Sequence, residues 1–432
     1  MSNIAGLNRT KAFEAPDLSR WVRLLSAQLL FVCLLVSFSP FALDAKGVAA
    51  SGGNIVNQLG YSALAALSLL MIVLFTDPKV VLSLFRPVWL LLFGALLLSV
   101  HASDWPDAAL RAYLFSVMVM IAAVGAMCLP ASIRDFRIAL ATGAMAVLGL
   151  SYFGIVLMPS IAVHQAVPPE PQHAGLWHGI FSHKNVAGAA VAMLFFAGLY
   201  IWRSGQRSLG LIIAILAALF VYKTGSKTTL VLMPCVVLMV IGGRWFGGSV
   251  LPAFTVLAAF STMTLMTLGT VLFKPLDTLL QAILPGTTFT GRTDLWRFTL
   301  ELLRPREWRG FGIESFWLTP HVTKAEQPFE LSWDMREIVN AHNGYLELVV
   351  WGGWPLLAIG ILVLVLAPLW DYMRTPPNRE NVLLADFCLM VLSFGLLNAF
   401  LESFFLSRGN QIWLMMWMAI VGLHLARRFR IT

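Results

Sequence analysis

Charge is scarce in this sequence. Only 12% of its 432 residues are Asp, Glu, Lys or Arg, while 58% are hydrophobic. A soluble domain carries about 25% charged residues, so an ordinary water-soluble fold is excluded. Acidic residues are rarer still, 22 against 30 basic, for a net charge of +8. In a soluble protein that excess suggests nucleic acid. Here the topology of apolar segments accounts for much of it, and no nucleic-acid partner is expected. Cysteine is limited to Cys33, Cys128, Cys235 and Cys388, all inside apolar runs. They read as small core residues, with no disulfide framework. Also missing are a Walker loop, a Gly-x-Ser-x-Gly elbow and the Asp-x-Asp pair of metal-dependent sugar-nucleotide transferases. The first apolar run has no clear small-residue cleavage site and reads as a retained helix.

Apolar runs of roughly 15–26 residues recur along the chain, and about 20 cross a bilayer. Twelve spans are expected, roughly 24–43, 58–76, 87–101, 109–128, 138–158, 184–202, 208–222, 228–242, 249–273, 342–367, 382–405 and 411–426. The protein reads as an all-α polytopic membrane protein in three regions. Residues 1–273 hold nine helices, residues 274–341 form a long polar loop, and residues 342–432 hold three more helices and the C-terminal tail. The positive-inside rule tests the count. With the N-terminus in the cytoplasm, the inner segments carry Arg9, Lys11, Arg20, Arg23, Lys79, Arg86, Arg134, Arg137, Arg203, Arg207, Arg244, Arg374, Arg379, Arg427, Arg428 and Arg430. The short outer segments carry only Lys46, Arg111, Lys184, Lys223, Lys227 and Arg408. The remaining basic residues lie in the long loop, on the outer side.

That loop has 17 charged residues in its 68, yet too many aromatic and aliphatic residues for a linker. Residues Thr293 to Leu303 read as an amphipathic helix capped by Thr293, with Leu295, Phe298 and Leu302 on its apolar face. The helix is expected to lie on the bilayer or to roof a cavity. Another outer loop, Pro159 to His183, is expected to be ordered, because Leu176, Trp177, Ile180 and Phe181 need cover.

The outer cations suggest chemistry. Arg111, Lys184 and Lys227 fall at or near helix N-termini, where a cation opposes the helix dipole by about 0.3–1 kcal/mol. Free N–H groups there favour anions, and an added lysine suits a strongly anionic ligand such as a pyrophosphate. Arg292 adds a bidentate phosphate contact, with Gly291 before it permitting close backbone approach. His342 suits a general base, since an unperturbed imidazole titrates near pH 6.5. Glu347 and Glu402 are further candidates for the base or for orienting an acceptor hydroxyl. Taken singly, each cation also fits a snorkelling or surface role, and His342 a structural one. His164, His173, His178 and His183 raise the question of zinc, but their spacings match no usual ligand pattern; no metal and no cofactor are expected.

The motifs come in a suggestive order: His173-x-Gly175-x-Trp177, Gly179-x-Phe181-x-His183-Lys184-Asn185, Gly225-Ser226-Lys227-Thr228, Thr290-Gly291-Arg292-Thr293-x-x-Trp296, and His342-Asn343-x-x-Leu346-Glu347. Over roughly residues 50–420 this pattern resembles the O-antigen ligase and Wzy-type polysaccharide polymerase superfamily, most of all its exopolysaccharide, succinoglycan-type polymerase branch. The resemblance implies a GT-C-like, metal-independent inverting glycosyltransferase in the bacterial inner membrane, its active site facing the periplasm. Its donor and acceptor would be glycans on undecaprenyl pyrophosphate, and its partners membrane lipid, a chain-length regulator and export proteins. By carry-over, Arg292 and Lys227 hold the pyrophosphate and His342 activates the acceptor. Lys184, His183, Asn185, Arg111, Gly291, Asn343, Glu347 and Glu402 line the substrate site. Lysine at position 227, where ligases tend to have arginine, favours the polymerase branch; His178 stands where that branch often has arginine. The rivals are an O-antigen ligase acting on lipid A core, a lipid-linked oligosaccharide flippase, which expects charges along a path through the bilayer, and a noncatalytic subunit of an export complex.

Overall fold

In the computed structural model, residues 18–41, 55–167, 171–327 and 334–431 are described. Arg9, Lys11 and Lys46 fall outside them. The described residues are helical throughout, apart from one isolated antiparallel bridge, Val163 with Trp177.

Among the described residues, ten helices are long and apolar enough to cross a membrane: α1 (Leu18–Val36), α2 (Ile55–Phe75), α4 (Pro106–Cys128), α5 (Ile133–Leu157), α6 (Lys184–Arg203), α7 (Arg207–Thr224), α8 (Lys227–Gly247), α9 (Val250–Leu272), α10 (Gly344–Met373) and α11 (Arg379–Asn398). The other two expected spans are helices as well. The first, α3 (Pro87–Ala102), is shorter, and the second, α12 (Gln411–Arg428), is diluted by Gln411, His424, Arg427 and Arg428. Each of the twelve thus meets a helix.

Burial sorts them. α11 is 89% buried and α6 is 72% buried, whereas α8 is 17% and α9 28%, so α6 and α11 form the centre and α8 and α9 the rim. α6 and α7 pack closely because Gly198 and Gly210 face each other. A Cβ on Gly198 would sit 2.9 Å from the Gly210 carbonyl oxygen, the small-residue contact typical of helices in lipid. Cys128 and Cys388 are buried as expected, but Cys235 is exposed on rim helix α8. All four thiols are free.

Ion pairs fix the alternation of the helices. The start of α1 joins that of α5 through Arg20–Asp135 at 2.9 Å. Asp371 near the end of α10 accepts from Arg86 before α3 and from Arg427 at the end of α12. Asp386 near the start of α11 accepts from Arg203 at the end of α6 (3.0 Å) and Arg244 in the last turn of α8 (2.6 Å). Every joined terminus belongs to the same face in a strictly alternating chain. The bundle therefore has one arginine-rich end and one opposite end, where the long loop sits.

Within that loop the amphipathic helix runs Arg292–Leu303. Its cap differs from expectation. Gly291, left-handed at φ 82°, stands at the N-cap, and Thr293 lies inside the helix with its hydroxyl donating to the Thr288 carbonyl. Leu295, Trp296, Phe298 and Leu303 are buried, so this face packs on protein rather than on lipid. A second amphipathic helix, Lys274–Ile283, precedes it. Downstream, Arg306 and His321 both bind Asp104 between α3 and α4, tying the loop to that corner. The loop before α6 also packs on protein: Ile180 and Phe181 are buried and Trp177 meets Tyr152 and Phe220.

Candidate functional site

The site is built around Glu402, in the turn between α11 and α12. Its Oε1 accepts from Asn185 Nδ2 (3.1 Å) and from Arg292 Nη2 (3.1 Å). Its Oε2 faces His342 Nδ1 at 3.2 Å. One carboxylate therefore joins the first turn of α6, the helix in the long loop, and the segment before α10. Sequence reasoning ranked Glu402 low; the geometry places it at the hub.

Burial by itself would raise the Glu402 carboxyl. The hydrogen bond and charge of His342, with the charges of Arg292 and His183, outweigh it and hold the group below its ordinary value. An ionised carboxylate has no proton to give, so His342 Nδ1 carries the hydrogen. Nε2 is then the ring nitrogen able to take a proton, the logic of a carboxylate-oriented imidazole base. Arg292 also donates from Nη1 to the Phe289 carbonyl (3.3 Å), whereas its buried Nε has no hydrogen-bond partner among the described residues.

The backbone around both residues is strained. Phe289, Thr290 and Gly291 before Arg292 all have positive φ, and His342 itself sits at φ 45°. For a non-glycine residue this conformation costs about 1–3 kcal/mol and persists only where its surroundings enforce it. For His342 the enforcement is visible. The Ala341 N–H donates to Glu347 Oε2 (2.9 Å), and the Ala341 carbonyl accepts from Trp296 Nε1 (3.0 Å). On the other side, the Asn343 N–H donates to Ser403 Oγ (2.9 Å) and the Gly344 N–H to the Ala399 carbonyl (2.7 Å). The segments carrying His342 and Glu402 are thus laced together in register.

Several of the expected site residues are also engaged by the protein itself. Glu347 is buried, its carboxylate held by Trp317 Nε1 as well as by Ala341, which fixes the backbone beside His342. Asn343 is fully buried, caps α10 through Tyr345 and Leu346 N–H, and donates to the Phe400 carbonyl. Gly291 is buried with its N–H donating to Thr288 Oγ1, so it shapes the turn before Arg292. His183 caps α6 by accepting the Asn185 N–H.

The cations divide. Lys184 opens α6, and its Nζ donates to Asn185 Oδ1 (3.4 Å), linking it to the Glu402 hub. Lys227 opens α8 and is exposed. Its neighbour Ser226 lies against Gly188 of α6, which sets the two helix starts side by side. No hydrogen bond joins Arg111 to the hub; it is exposed in the second turn of α4. Sequence spacing also missed a histidine cluster. His164 lies 4.7–5.7 Å, ring to ring, from His173, His178 and His183. Its Nε2 accepts the Lys184 N–H, and His178 Nδ1 donates to the Phe181 carbonyl. These rings tie the preceding loop to the start of α6.

Residues 211–361, from α7 into α10, match the family model described as O-Antigen ligase. That stretch, about a third of the chain, is similar to the O-antigen ligase family. No curated protein matches the chain. The matched segment contains Lys227, Arg292 and His342, while Asn185 and Glu402 fall outside it. That likeness points toward a membrane-embedded polymerase or ligase of lipid-linked glycans.

Proposed function

We propose that the protein is a polysaccharide polymerase of the bacterial inner membrane, joining oligosaccharide repeat units carried on undecaprenyl pyrophosphate at the periplasmic face. The observation that carries this reading is the Glu402 carboxylate, which brings the cation Arg292 and the imidazole of His342 into one site. In the proposed step His342 Nε2 takes the proton from the acceptor hydroxyl. The acceptor oxygen attacks the anomeric carbon, the bond from that carbon to the pyrophosphate oxygen breaks, and configuration inverts. The leaving lipid pyrophosphate gains negative charge, which Arg292 and Lys227 offset with Lys184 behind them. The unpartnered Arg292 Nε supplies a donor for a phosphate oxygen. The arginine-rich end faces the cytoplasm by the positive-inside rule, which puts the Glu402 end outside. A chain-length regulator and export proteins would act downstream.

A ligase that moves finished glycan to lipid A core uses the same cations and base. The purified protein given lipid-linked repeat unit alone separates the two. A ladder of lengths supports the polymerase; transfer only when lipid A core is added establishes the ligase. No transfer under either condition rejects both.

A further inference from the structure

The end of the molecule opposite Glu402 holds a second concentration of positive charge that glycan transfer does not use. Arg203 ends α6 and Arg207 begins α7, on either side of a tight turn where Gly205 has φ 107°. Arg379 opens α11 beside them, its Nη2 donating to the Arg203 carbonyl at 3.0 Å. With Trp202 and Gly205, these three arginines line one open cleft of about 290 Å³.

The charge around the cleft does not close. Arg203 and Arg244 share Asp386, and Arg379 and Arg137 share Glu380. Arg207 makes no hydrogen bond or ion pair among the described residues, and it opens a helix with no side-chain cap. Five guanidinium groups thus meet two carboxylates, an excess of three positive charges. Topology alone requires basic residues in short loops but not their convergence from two separate loops on one concave surface.

The depth of the cleft indicates which ligand meets that charge. α6 runs 20 residues from Lys184 at the glycan site to Arg203, about 30 Å at 1.5 Å per residue, which is the thickness of a hydrocarbon core. The cleft therefore lies at headgroup level on the other face. Trp202 stands at its rim, 46% exposed, where an indole favours the membrane–water interface. Below it on α7, Leu211 and Ile215 are exposed to the surroundings. The geometry points to a site for the phosphate of an anionic phospholipid, its phosphodiester against Arg207 and Arg379 and its acyl chains along Leu211 and Ile215. Basic pockets between transmembrane helices on the cytoplasmic side recognise such headgroups.

Native mass spectrometry of the full chain in detergent tests this with phosphatidylglycerol, phosphatidylcholine and inorganic phosphate as separate probes. The wild type is expected to retain phosphatidylglycerol at a concentration about tenfold lower than phosphatidylcholine. The R207Q/R379Q variant, which keeps the Arg203–Asp386 pair, is expected to bind both alike. R207Q alone, at an exposed position, provides the same reading if the double variant does not fold. Equal binding of the two lipids by the wild type overturns the proposal, as does a preference that survives R207Q and R207Q/R379Q. Displacement of phosphatidylglycerol by equimolar inorganic phosphate assigns the cleft to free phosphate and overturns the lipid.

Discussion

At one end of the bundle Asp386 lies fully buried between Arg203, Arg244 and Tyr372. At the other, Glu402 lies 24% exposed between Arg292, His342 and Asn185. Both carboxylates gather cations from distant helices, but they leave different remainders. Asp386 and Asp371 each accept from two arginines and are 0% exposed, so their bonding capacity is spent inside the protein. Around Glu402 an Arg292 nitrogen still lacks a partner, the imidazole can take a proton, and Lys227 stands exposed on the adjacent helix start. A buried ion pair with all its partners in place is architecture; a partly exposed pair with donors to spare can exchange partners with a ligand.

The largest test of that contrast concerns the Glu402 end. His342→Ala and Glu402→Gln should each lower glycan transfer by about 10²–10⁴-fold while the protein remains in the membrane. Near-normal transfer by His342→Ala in a radiolabelled-sugar assay would remove it as the base. The pH dependence of Glu402 has a definite sign. Its carboxyl is held below the ordinary value of about 4.3, so its stabilising contribution is complete above that pH and lost as pH falls through the lowered folded value. Chemical denaturation of wild type and Glu402→Gln across mildly acidic pH should show the two converging only at the acid end.

At the other end the expected damage is to stability instead. Asp386→Asn leaves Arg203 and Arg244 without their shared carboxylate and should cost about 3 kcal/mol, read as a lower thermal midpoint in detergent. An unchanged midpoint would mean that the buried pair is not architectural. Between these cases lies Glu347→Gln. Its amide nitrogen replaces one acceptor oxygen and faces the N–H of Trp317 or Ala341, so the His342 backbone loosens. We expect about a tenfold fall in kcat, some 1.4 kcal/mol of transition-state energy, with KM held; a changed KM alone would point to substrate contact. The smallest effect belongs to the exposed Arg408–Glu314 pair, 3.0 Å apart with both side chains over 40% exposed. Arg408→Gln should cost less than about 1 kcal/mol, a difference that added salt erases.

The helices were legible because long apolar runs leave few alternatives, and the basic-residue asymmetry gave each an orientation. His342 stood out as a polar residue at the border of a membrane segment, and Arg292 as an arginine behind a glycine in the polar loop. Glu402 did not, because it is 110 residues from Arg292 and 60 from His342, and an acid after a helix end looks like any surface acid. Asp371 and Asp386 were hidden by the arginines around them, whose topological role needs no buried partner. Asp135, flanked by Arg134 and Arg137, was the available clue that carboxylates answer those arginines. Glu347 and Asn343 were legible only as polar residues, not by the bonds they make. Polar residues at the start of an apolar run signal either a ligand or a helix cap, and only coordinates distinguish the two.

The Glu402 hub draws on four stretches of chain, and Asn185 lies 217 residues before it. No short contiguous fragment contains these residues. A ribosome must finish nearly the whole polypeptide, and every helix must find its place, before base and carboxylate meet. On the proposed reading a half-inserted chain could not transfer sugar. Activity would then certify completed assembly, and co-expressed halves divided in the long loop should regain it only by reuniting.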